Sequence, residues 1–95
     1  MYGTIARLRV KPGAQKKLLE MIKSESGLRI PGFISQYVYR MNADPNELYL
    51  VVVFENKQTY IANADSPEQD ARYREFRALL EKDPEWHDGE IVYAG

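Results

Sequence analysis

The sequence predicts an α+β fold in which helices cover one face of a four-stranded antiparallel sheet. Three observations predict it. Short segments alternate between apolar and polar residues with the period of a strand, as in Tyr2 to Val10 and Phe33 to Met41. Longer segments carry the spacing of an amphipathic helix, after Pro12 and again after Ser66. Turn formers separate these segments so that the order reads βαββαβ.

The first strand, Tyr2 to Val10, sets Tyr2, Thr4, Ala6, Leu8 and Val10 on one face and Ile5, Arg7 and Arg9 on the other. Lys11-Pro12-Gly13 breaks it, with Pro12 suited to the first turn of the helix that follows. That helix is expected to run to about Ser26, burying Ala14, Leu18, Leu19, Met21 and Ile22, with Gly27 as its stop. Pro31-Gly32 reads as the centre of a type II turn. In the second strand, Phe33 to Met41, unbroken alternation groups Phe33, Ser35, Tyr37, Tyr39 and Met41. Asn42 to Asn46 is a hairpin loop.

The third strand, Glu47 to Phe54 or Glu55, is apolar on both faces and so needs cover on both. Helices in so short a chain cover only one side, which leaves the other to a second copy of the protein. Asn56 to Ala64 is helix-like. Ser66-Pro67-Glu68 starts a further helix expected to reach Lys82 and to bury Ala71, Phe76, Leu79 and Leu80. Its acid–base pairs are Glu68 with Arg72 and Asp70 with Arg74. Trp86 to Gly89 reads as a loop, and Glu90 to Ala94 as the last strand. Right-handed crossovers turn this order into the ferredoxin-like arrangement.

Composition bounds the function. The 95 residues leave room for one domain, 1–95, which buries only about 60–65% of its unfolded surface. Without cysteine there is no disulfide and no thiolate metal site, which fits a reducing cytoplasm. Thirteen basic residues against fourteen acidic ones leave no basic excess for nucleic acid. An RNA-recognition domain has the same element order, but Glu47 to Glu55 carries no Gly, Lys or Arg beside Tyr49. No apolar run approaches a membrane span, and the first residues read as a strand rather than a signal peptide.

Several short motifs carry a family likeness: Val10-Lys11-Pro12-Gly13, Pro31-Gly32-Phe33, Phe54-Glu55-Asn56, and a second helix broken at Asp65-Ser66-Pro67. In sequence and spacing, over nearly the whole chain, they resemble the antibiotic biosynthesis monooxygenase family of dimeric α/β barrels. The resemblance implies sheet-to-sheet homodimers and a pocket between sheet and helices. It also implies cofactor-independent oxygenation of a small aromatic or phenolic molecule in some members and haem degradation in others. The chain departs from the family at three positions. Phe54 stands where the family often has Trp, and Asn63 and Glu68 stand where it often has His. Without an axial His on that helix, haem degradation is not expected.

Cofactor-free oxygenation needs an aromatic-walled pocket and a group that helps ionise the substrate. Tyr60 and Arg74 fall near the family's polar pocket positions, and His87 is the sole histidine. These three are the catalytic candidates. Tyr37, Tyr39, Phe54, Asn63 and Phe76 are the pocket-lining candidates. Each has a plainer reading. The aromatics suit a core or an interface, and Tyr37 and Tyr39 fit a dimer seam as well as a pocket wall. His87 suits a surface site beside Trp86, and Arg72, Arg74 and Arg77 suit a solvent face balanced by acids. One His without a spaced partner offers no metal site. The alternative function is a non-catalytic dimeric domain of the same fold that binds a small molecule or serves a structural role.

Overall fold

The computed structural model describes residues 1–25 and 28–95. The elements are β1 (Tyr2–Arg9), α1 (Gln15–Glu25), β2 (Phe33–Arg40), β3 (Glu47–Phe54), α2 (Lys57–Ala64), α3 (Pro67–Arg77) and β4 (Glu85–Glu90). The strands form one antiparallel sheet in the order β2-β3-β1-β4, the ferredoxin-like arrangement.

β1 follows its alternation: Thr4, Ala6, Leu8 and Val10 are buried, while Ile5 is exposed. Leu48 and Leu50 of β3 share that buried face, with Leu18 and Ile22 of α1 and Phe76 of α3 packed over it. The opposite face of the sheet carries Ile5, Tyr37, Tyr39 and Val51, paired in register across the strands. It also carries Arg7, which bridges Glu47 at 3.1 Å and Glu85 at 3.2 Å.

The turns are made as their residues dictate. Phe33 N donates to Ile30 O across Pro31-Gly32, and Gly32 takes φ 79°, which completes the type II turn. A side chain at Gly32 would also strike Thr59 of α2. Asp44 Oδ1 accepts from Asn46 N at 2.9 Å and pairs with Arg9, which together hold its carboxyl below the usual range. Asn56 and Ser66 cap α2 and α3 through Thr59 N and Gln69 N, and Pro67 stands in the first turn of α3.

Five expectations need correction. First, Pro12 precedes α1 rather than opening it: Lys11 to Gly13 make a separate turn, with Gly13 at φ 82°. Second, the uniform alternation of β2 fails near its start. Phe33 pairs with Phe54 and Ser35 with Val53, so one extra residue, Ile34, is bulged out. Phe33 therefore faces the helices while Tyr37 and Tyr39 face away from them. Third, α3 ends at Arg77, not Lys82, because the chain leaves the helix to pair with the end of β1. Lys11 N donates to Leu79 O, and Glu81 N donates to Arg9 O. Fourth, with Leu79 and Leu80 outside the helix, its inward face is Gln69, Tyr73 and Phe76, and Ala71 is exposed. Fifth, the last strand is Glu85–Glu90, which includes the segment expected to be a loop, while 91–95 is irregular. Its polar residues hide the strand period, and pairing with Tyr2 to Arg7 creates it. The expected helix end at Ser26 and stop at Gly27 lie outside the described residues.

Candidate functional site

The helix-covered face of the sheet is not filled along its whole length. Around Leu8, Val10, Leu18, Leu48 and Leu80 it is solid. Toward the other end, beyond Ile22, Leu50 and Phe76, the helices stand off the sheet and leave a cavity of about 580 Å³. That volume suits a drug-sized ligand.

Each wall follows from local sequence. α2 turns Tyr60, Asn63 and Ala64 inward, residues three and four apart that share a helix face. α3 contributes Gln69, Tyr73 and Phe76 at the same kind of spacing. α1 adds Ile22 and Glu25. The floor is Thr4, Val52 and Phe54 with Trp86 and Asp88 of β4. The bulge at Ile34 brings Phe33 to this side, edge-on to Phe54 at 5.8 Å. Phe54 and Tyr2 in turn meet Tyr60 edge-on at 5.6 Å and 5.3 Å.

The polar end of the cavity is built from Tyr60, Asp88 and Thr4. Thr4 and Asp88 are direct partners across β1 and β4, so their side chains stand side by side. Tyr60 Oη donates to Asp88 Oδ1 at 2.8 Å. Burial above all, reinforced by that hydrogen bond, pushes the Tyr60 hydroxyl up to about 12. The nearby Thr4 hydroxyl pulls weakly the other way, although its geometry falls short of a hydrogen bond. Thr4 is only 4% exposed and its Oγ1 has no hydrogen-bond partner. Buried hydroxyls are seldom left so. At the opposite wall, burial raises the Glu25 carboxyl against a smaller pull from Arg72.

The sequence-derived candidates divide cleanly by position. Tyr60, Phe54, Asn63 and Phe76 line the cavity. Arg74 points to solvent, its side chain 79% exposed and paired with Asp70 at 3.0 Å. Arg72 donates to Gln69 rather than pairing with Glu68. His87 pairs with Ile5 and so stands on the far face of the sheet. Tyr37 and Tyr39 are on that face too, 58% and 57% exposed. Asp88, Trp86 and Thr4 are invisible as a group in the sequence because only the pairing of β4 with β1 assembles them. Thr4 alone has a signal, its place on the apolar face of β1. Among the described residues, no cluster of three or more His, Cys, Asp or Glu could hold a metal ion. No described helix is long and apolar enough to cross a membrane.

Residues 1–81 match the family described as antibiotic biosynthesis monooxygenase. The chain belongs to that family. Its fold recurs in a mutant of SnoaB, a cofactor-independent oxygenase from Streptomyces nogalater. That likeness has a TM-score of 0.84 at 17% identity, over 98% of this chain and 94% of that one. A protein from Chloroflexus aurantiacus, proposed to be an antibiotic biosynthesis monooxygenase, superposes with a TM-score of 0.81 at 23% identity, over 99% and 95% of the two chains. A conserved protein from Methanosarcina mazei gives 0.80 at 20% identity, over 93% and 89%. No curated protein matches the chain by sequence. At these identities the structural likeness speaks to the fold. The monooxygenase-like architecture is a family property, and the contents of the cavity are this chain's own.

Proposed function

We propose that this member of the antibiotic biosynthesis monooxygenase family oxygenates a small aromatic, phenol-type molecule without a cofactor, inside the cavity between sheet and helices. The observation that carries the reading is the Tyr60–Asp88 pair, set with Thr4 at the polar end of a cavity whose other walls include the rings of Phe33, Phe54, Tyr73, Phe76 and Trp86.

In this reading Asp88 is the base. A phenol seated at the polar end gives its proton to the Asp88 carboxylate, so the charge moves but no new charge is created. Tyr60 stays protonated at neutral pH and can turn its O–H from Asp88 to the substrate oxygen as negative charge builds there. The ionised ring supplies the electrons. One atom of dioxygen becomes the new quinone oxygen and the other leaves as water, which balances phenol plus dioxygen against quinone plus water. The aromatic walls hold the ring.

We further propose that the protein is one domain over 1–95 that works in the cytoplasm as a homodimer, joined through the face bearing Ile5, Tyr37, Tyr39 and Val51. Apolar side chains exposed together on a sheet support this. A non-catalytic binding role has one observation in its favour: no Lys, Arg or His lies among the described residues lining the cavity to steady an oxyanion.

Oxygen uptake and quinone absorbance with a panel of one- to three-ring phenols test the reading. Turnover that Asp88→Asn lowers by about 100-fold, with unchanged folding, supports it. A folded protein that consumes no oxygen with any phenol, yet binds them, leaves the non-catalytic role.

A further inference from the structure

We infer that the cavity selects its ligand by charge, taking an aromatic molecule that carries a protonated amine and turning away carboxylates and other anions. This rests on the cavity being the ligand site, as in the proposed function, and names the class of ligand more narrowly.

The charged residues in the lining are all of one sign. Glu25, Asp65, Asp70 and Asp88 border the cavity, and no cationic side chain does so among the described residues. The nearest arginines do not redress this. Arg74 pairs with Asp70 from the solvent side, and Arg72 donates through Nε and Nη2 to Gln69 while only partly offsetting the charge of Glu25. In a half-enclosed, weakly polar space such charges act with less screening than on an open surface, and they attract cations and repel anions.

Two independent features point the same way. The O–H of Tyr60 is held by Asp88, which leaves the Tyr60 oxygen and the second Asp88 oxygen as acceptors, and Thr4 Oγ1 lies buried and unpartnered in the wall beside them. The polar end therefore receives a donor. The lining also offers aromatic rings, among them Tyr73 and Trp86 with ring centres 6.4 Å apart, and aromatic faces attract an ammonium group. A ligand ammonium would also supply the positive charge that the lining lacks beside a developing phenolate.

Calorimetric titration of the intact chain at neutral pH with naphthylmethylamine, naphthylmethanol and naphthoate tests this. Trp86, the sole tryptophan, lines the cavity and reports by its emission whether a probe sits there. The amine is expected to bind at least about tenfold tighter than naphthoate, with the alcohol between them. Glu25→Gln is expected to narrow that gap by about threefold. Equal affinity for all three probes, or tighter binding of naphthoate, overturns the charge assignment and leaves the cavity as a ligand site. Binding of the amine that leaves Trp86 emission unchanged places it elsewhere and also overturns the assignment. Failure of all three to bind overturns both this inference and the proposed function.

Discussion

Two ends of one sheet face lie under the same helices and have opposite fates. At the end of Leu8, Leu18, Leu48 and Leu80 the side chains are fully or almost fully buried and nothing enters. At the end of Thr4, Tyr60 and Asp88 the same layers enclose open space. Ile22, Leu50 and Phe76 belong to both, packed against the core on one side and facing the cavity on the other. The difference lies in chemistry at matching strand positions. Where β1 places Leu8 opposite Leu48, two aliphatic chains close the gap. Where it places Thr4 opposite Val52 and Asp88, short and polar side chains cannot. Stability is concentrated at the first end and the proposed function at the second.

The contrast predicts which changes hurt folding and which hurt binding. Leu8→Ala, in the solid end, should cost about 3 kcal/mol in denaturant unfolding. Ser66→Ala removes the cap of the helix that roofs the cavity and should cost about 1 kcal/mol. Val52→Phe pushes a ring into open space, so stability should stay within about 1 kcal/mol of the parent while aromatic ligands no longer bind. A large loss of stability from Val52→Phe would show that the two ends are not separate.

Two pH-dependent effects sharpen the polar end. The hydroxyl of Tyr60 is raised in the folded protein, so its contribution to stability is complete below the ordinary tyrosine value of 10.0. It is lost as pH climbs toward about 12. Tyr60→Phe should flatten the stability curve over that alkaline range, as followed by chemical unfolding at several pH values. Glu25 is a raised carboxyl, so the stability it contributes is present at low pH and declines as pH rises past the ordinary 4.5. Glu25→Gln should therefore gain no more than about 0.5 kcal/mol at neutral pH, the carboxyl being partly screened by solvent.

The legible parts of this molecule are those with a strong local signal. β1 and β3, the caps at Ser66 and Pro67, and the turn at Gly32 follow from neighbours in sequence. Tyr60 is legible as a candidate only through the family resemblance, which implies a polar pocket residue near that position. β4 is not, because Glu85-Trp86-His87-Asp88-Gly89-Glu90 has no apolar alternation and becomes a strand only against β1. Asp88 is hidden with it, since a carboxylate between His87 and Gly89 looks like a solvated loop until Thr4 is placed beside it. Arg74 misleads for a related reason. The family resemblance implies a place near the pocket, whereas its side chain lies in solvent paired with Asp70.

The extra residue in β2 has a consequence for how the chain tolerates changes in length. Removing one residue from a regular strand exchanges its two faces from that point on. Loss of Val38 would do this, carrying residues of the outer surface into the interior. Loss of Ile34 would not, because that position already counts as surplus: Phe33 would keep its orientation beside Phe54, and Tyr37 would stay outside. The wall of the cavity thus has one site where a deletion is silent in phase, bordered by positions where the same deletion turns the strand inside out.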